Sequence, residues 1–269
     1  MKKLFLFFLI TGIFLNLNSA PAFAQLKIDS YNGKLIITPG ETSTGSITIE
    51  NPTKETVTVK VSLSDIELVP PFERGGIVYK PAGTTADSFS SWITISPEIF
   101  NLPASGKQKV TYTVKPPVDA KGGYYGTIFF EKNSQKLGQG FGIIFKLGYT
   151  LSLVTKDAVS SIKSEDVSLS AEEVKGKFLN AGDVILNSTY SYNLMDKDGK
   201  VLDRGKVEKV FVIPPKGKVP FAVKLPKKIV AGEYDLVITF NLTAGGSLIN
   251  EVYFSKDNAG NLKFIKATN

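Results

Sequence analysis

Apolar residues recur at every second position along most of the chain, with Gly, Pro, Asn and Asp between the runs. Ile47 and Ile49 alternate with Thr and Ser up to Asn51-Pro52. Val57, Val59, Val61 and Leu63 alternate with Thr58, Lys60 and Ser62, and Val110, Tyr112 and Val114 repeat the pattern. The longest run is Ile143, Phe145, Leu147, Tyr149, Leu151 and Leu153; later come Val219, Phe221, Val223 and Leu225, then Tyr234, Leu236, Ile238 and Phe240. A period of two places alternate side chains on one face of a strand. One buried and one wet face is the habit of antiparallel sandwiches, not of parallel sheets under helices. No later segment sustains a helical stripe, so the predicted fold class is all-β.

An internal repeat sets the domain count. Val110, Tyr112, Val114, Lys115, Pro117, Gly123 and Tyr125 match Val219, Phe221, Val223, Lys224, Pro226, Gly232 and Tyr234, each pair 109 positions apart. A spacing of about 100 residues is one immunoglobulin-like sandwich. The chain is therefore expected to hold two tandem immunoglobulin-like β-sandwich domains, 25–155 and 164–255. A short polar connector, 156–163, joins them, and a polar tail, 256–269, follows.

The first 24 residues stand apart. Lys2 and Lys3 precede the apolar run Leu4–Ile10, and Ala22-Phe23-Ala24 supplies the small residues of a cleavage site. This predicts a cleaved signal peptide and an exported protein, whether periplasmic, secreted or on the cell surface. No second apolar stretch reaches membrane length.

Composition removes whole classes of chemistry. The chain has no His and no Cys. It cannot build a Ser–His triad, a cysteine nucleophile, a disulfide, or a zinc site of imidazole or thiolate ligands. The net charge is +7, but Arg74 and Arg204 are the only arginines and the lysines are dispersed among acids. That is a solvated surface, not a nucleic-acid groove. Asp196-Lys-Asp198-Gly199 lacks the spaced ligands of a calcium loop and predicts a hairpin turn. No catalytic, cofactor or metal residues are assigned; the expected role is binding.

Two regions are candidates for it. Val69–Asp87 breaks the alternation with Pro70-Pro71, Arg74-Gly75-Gly76 and Pro81, leaving Gly76–Lys80 as a short edge strand. Loops on a rigid sandwich commonly carry binding, which makes Phe72, Arg74 and Tyr79 candidate contacts. The other is the long run containing Phe145 and Leu147.

With the strands in order, a resemblance emerges in Gly45–Leu63 (GSITIENPTKETVTVKVSL), Trp92–Val114 (WITISPEIFNLPASGKQKVTYTV) and Gly122–Glu131 (GGYYGTIFFE). These resemble the N-terminal immunoglobulin-like domain of two kinds of extracytoplasmic protein. One is the peptidoglycan-binding domain of WxL-interacting surface proteins, whose second domain is similar to Asn180-Ala-Gly-Asp, the Asp196–Lys200 hairpin and Ala231-Gly-Glu-Tyr-Asp-Leu. It implies an envelope scaffold recognising cell-wall polymer or a surface protein, and this is the preferred expectation. Such proteins carry a membrane anchor, for which this chain shows no segment.

The alternative is the periplasmic pilus chaperone, similar in the Asn-ended second strand and the Ser-Pro segment at 96–97. It implies that a β-rich fibre subunit is bound by strand donation through Phe145 and Leu147. It also implies that Lys34 and Lys146 grip the subunit's terminal carboxylate. The Arg and Glu network between the domains of such chaperones has no counterpart here.

Overall fold

The computed structural model describes residues 26–72, 76–137, 141–227 and 229–268, with the backbone alone for 133–137 and 141–143. The expected signal peptide and Arg74 lie outside the described residues. Among those residues no helix is long and apolar enough to cross a membrane.

Ten strands make the first sandwich: β1 (Lys27–Ile28), β2 (Asn32–Ile37), β3 (Ser43–Glu50), β4 (Val57–Val69), β5 (Gly76–Pro81), β6 (Ile93–Ser96), β7 (Ile99–Leu102), β8 (Lys107–Val114), β9 (Gly123–Leu137) and β10 (Phe141–Thr155). One sheet has the order β1-β3-β8-β6; the other runs β2-β10-β9-β4-β5, with β7 beside β4. The alternation seen along the chain is the reason. Val57, Val59 and Val61 of β4, Val110, Tyr112 and Val114 of β8, and Leu151 and Leu153 of β10 all turn into one shared core.

The second sandwich is built from β11 (Ile162–Leu169), β12 (Glu173–Asn180), β13 (Leu186–Asp196), β14 (Val201–Ile213), β15 (Lys218–Lys224), β16 (Gly232–Leu242), β17 (Ser247–Lys256) and β18 (Leu262–Thr268). A sheet of order β11-β12-β15 faces one of order β14-β13-β16-β17-β18. Phe178 centres its core, stacked on Phe221 with ring centroids 4.2 Å apart and edge-on to Phe240 at 4.6 Å.

The repeat is structural. Tyr112 lies over Gly45 of the paired strand, and Phe221 lies over Gly176 in the same way; a Cβ on either glycine would stand 2.3 or 2.7 Å from the ring. Asn51, just after β3, and Asn180, the last residue of β12, are both fully buried. Each donates its side-chain amide to carbonyls of two neighbouring segments, Leu102 and Glu55 in one case, Ile213 and Val184 in the other. Buried polar groups persist only when satisfied in this way.

One expectation is corrected, and the short edge strand expected at Gly76–Lys80 is present as β5. The polar tail is not a tail throughout: Leu262–Thr268 is β18, an edge strand paired with β17. Its lysines and exposed Phe264 and Ile265 conceal any alternation because an edge strand buries so little. The Val69–Asp87 stretch is largely a hairpin arm, β5 pairing antiparallel with the end of β4. The turn beyond it is pinned by buried Asp65, which accepts from the Thr84 and Thr85 amides and from the Ser88 hydroxyl.

Candidate functional site

Strand β10 carries the feature that sets this surface apart. One edge pairs with β9 along its length, whereas β2 covers the other edge only over Thr150–Thr155, running parallel. Before Thr150 no described strand flanks that side. The Thr150 amide donates outward to the Tyr31 carbonyl, 2.9 Å away. By alternation the backbone groups of Lys146 and Gly148 also face outward, and among the described residues they meet no strand. An unpaired edge is a template for one more strand. Phe145 and Leu147, half-buried, sit at this edge and with Leu26 and Phe130 frame a notch of about 60 Å³.

Following β10 toward its end leads into a cleft of about 530 Å³ between the two sandwiches. Its floor is the outer face of the β2-β10-β9-β4-β5 sheet, with Lys34, Ser152 and Val154 on it; its far wall is Val184, Leu186 and Leu242 of the second sandwich. The lining is mostly aliphatic. Among the described residues Lys34 and Lys156 are the only charged groups lining it, and neither is ion-paired to a described carboxylate.

The joint that holds the cleft open is made of uncharged donors and a single carboxylate. Gly123 donates its amide to the Asp183 carbonyl at 2.9 Å, and the Ile185 amide donates to the Tyr125 hydroxyl at 2.8 Å. The Asp183 carboxylate accepts from the Val159 amide at 2.7 Å. Gly122 sits at φ +82°, and a Cβ there would come within 2.6 Å of the Asp183 carbonyl oxygen. Only glycine allows both the turn and this approach. Burial first, then the Asp87 and Asp183 charges, push the Tyr125 hydroxyl up to about 12 against the opposing Ile185 hydrogen bond. It stays protonated and accepts through a lone pair.

The predicted site residues disperse across this frame. Lys34 lines the cleft, but its partner in register is Ser152, not Lys146. Lys146 precedes Ser152 by six residues on the same strand, about 20 Å at a rise of ~3.3 Å per residue. It is spent on Glu131, 2.6 Å away, whose carboxyl it holds below the usual range. The paired lysine grip is thus corrected: the two do not meet, and Lys156, from the connector, is the second cation of the cleft. A sequence scan passes over Lys156 because it looks like any solvated connector lysine. Phe72 is not a free contact either; it packs half-buried on the core cluster of the second sandwich and braces the joint. Tyr79 is 53% exposed on β5, edge-on to Phe129 with centroids 5.0 Å apart. Phe145 and Leu147 lie half-buried on β10 ahead of the stretch covered by β2, with Leu147 packed against the first core.

No family model and no curated protein matches the chain. Solved structures do match. A chain of the chaperone–tip adhesin complex of CFA/I fimbriae biogenesis superposes with a TM-score of 0.55 at 13% identity, covering 84% of this chain and 97% of that one. The class 5 fimbriae chaperone CfaA gives 0.54 at 15%, with 84% and 97% covered. The chain therefore shares with these structures a fold of two immunoglobulin-like sandwiches. Nothing in these comparisons supports the WxL-interacting resemblance.

Proposed function

We propose that this protein is a non-enzymatic, extracytoplasmic chaperone of the fimbrial type that adds a strand of a β-rich subunit to the open edge of β10. The observation that carries this reading is the half-covered edge. Lys146 and Gly148 turn backbone groups to that edge beside a notch at Phe145 and Leu147, and the line of the edge runs directly into the cleft. The chaperone alternative among the sequence expectations is thereby preferred to recognition of wall polymer, for which the described residues offer no comparable feature.

Charge favours one orientation. A strand laid antiparallel to β10 would bring its N-terminal ammonium to Lys34 and Lys156, where like charges repel. A parallel strand brings a carboxylate, which two unpaired ammonium groups hold with charge-assisted hydrogen bonds.

The test is site-specific photo-crosslinking in the native envelope. A photoactivatable phenylalanine analogue replaces exposed Ile144 on the open edge or, as control, exposed Val201 on β14 of the second sandwich. A small β-rich subunit captured at 144 and not at 201 is the expected result. Equal capture at both positions, or capture of wall fragments at 144, overturns the proposal.

A further inference from the structure

We infer that the cleft reads the last side chain of the bound strand and selects a partner ending in a bulky apolar residue. This rests on the strand-adding reading above. A strand advancing along residues 144–149 reaches Thr150, where β2 already occupies the edge through the Tyr31 carbonyl. It cannot continue in the plane of the sheet. The inner side is closed by the core, with Ile37, Leu151 and Leu153 all at 0% exposure. The one remaining direction is over the outer face, and that is where the cleft lies.

What the chain end meets there is chemically lopsided. The two ammonium groups can take a carboxylate. The rest of the lining is mainly aliphatic, with Thr150, Ser160, Asn187 and Thr243 interspersed, and Ile36 and Ile77 stand 53% and 50% exposed to solvent. A volume of about 530 Å³ falls in the range that buries small ligands, roughly 300–1,000 Å³. It has room for one large side chain beside the carboxylate. A Leu or Phe entering it removes apolar surface from water on both partners. A terminal Asn gives up hydration that the aliphatic part of the lining does not replace. A terminal Gly leaves Ile36 and Ile77 wet.

The experiment uses the purified protein and one alternating eight-residue strand peptide synthesised with Phe, Leu, Gly or Asn at its free C-terminus. Affinity is read by fluorescence anisotropy and the contact by hydrogen exchange at the Lys146 and Gly148 amides. Phe and Leu endings should bind roughly 10- to 100-fold more tightly than Gly, the range that burial of such a side chain supplies, with Asn no tighter than Gly. Ile36→Asn and Ile77→Asn, at exposed positions where folding is not at stake, should flatten that preference. Peptides that protect both amides yet bind equally whatever their last residue overturn this inference and leave strand addition standing. A preference that persists unchanged in both variants also overturns it. If no peptide protects the amides, strand addition falls and this inference with it.

Discussion

Replacing Tyr125 by Phe removes one oxygen from the joint between the sandwiches, and the structure says what that should cost. The Tyr125 ring is 7% exposed and its hydroxyl accepts the Ile185 amide at 2.8 Å. The ring itself would remain, so packing is conserved and the loss is confined to one hydrogen bond. Leaving a buried amide without an acceptor costs about 1–3 kcal/mol. Since the bond borders the cleft, water reaching Ile185 would hold the penalty to the lower half of that range. At about 2–4 °C per kcal/mol for a chain of this size, calorimetry should show the joint-dependent transition fall by several degrees. Hydrogen exchange should show the Ile185 amide losing protection while amides deep in either core keep theirs. Tyr112→Phe is the control. Its hydroxyl meets only the Tyr149 hydroxyl at 3.4 Å, a weak contact, and its loss should leave Ile185 untouched. An unchanged Ile185 amide in Tyr125→Phe would refute the idea that this bond sets the cleft.

Other consequences are equally direct. Lys146→Pro should abolish strand addition while lowering stability little, because the amide it removes points to the open edge and proline is tolerated on sheet edges; Phe145→Pro, whose amide faces β9, should damage the hairpin itself, visible in far-ultraviolet circular dichroism. Gly33→Ala should unfold or loosen the first sandwich, since a Cβ there would stand 1.8 Å from the Tyr149 hydroxyl oxygen; a denaturation midpoint equal to wild type would count against the packing described. Asp235, pushed up to about 6 by burial and then by Glu251 with Lys266 partly opposing, has a folded value above its unfolded one. Its contribution to stability is present below about pH 4 and is lost as pH rises through 6. The second sandwich should therefore gain stability between pH 7 and 5, and Asp235→Asn should remove that gain in thermal melts across the range.

Much of this architecture is written locally. A strand with one buried face alternates with period two whatever it later packs against, so β4, β8, β10, β15 and β16 are legible one by one, and the 109-residue spacing reveals that the pattern occurs twice. The Asp198-Gly199 turn is legible for the same reason: Gly199 takes φ +79°, a demand of the turn alone. Edge strands are not legible in this way. In β18 burial no longer enforces alternation, and the segment passes for a polar tail. The functional geometry is the least local of all. Which residue faces Lys34 depends on the register between β2 and β10, strands more than 100 residues apart, and that register selects Ser152 over Lys146. Whether Phe72 meets solvent or the second core, and whether Tyr125 ends in a sandwich or in a joint, follows from how two domains dock. The open edge itself is an absence of pairing, decided by where β2 begins. A single residue carries its own preference for strand or turn. Its neighbours across a sheet or an interface exist only once the chain has folded, and in this protein they, rather than any motif, make the cleft.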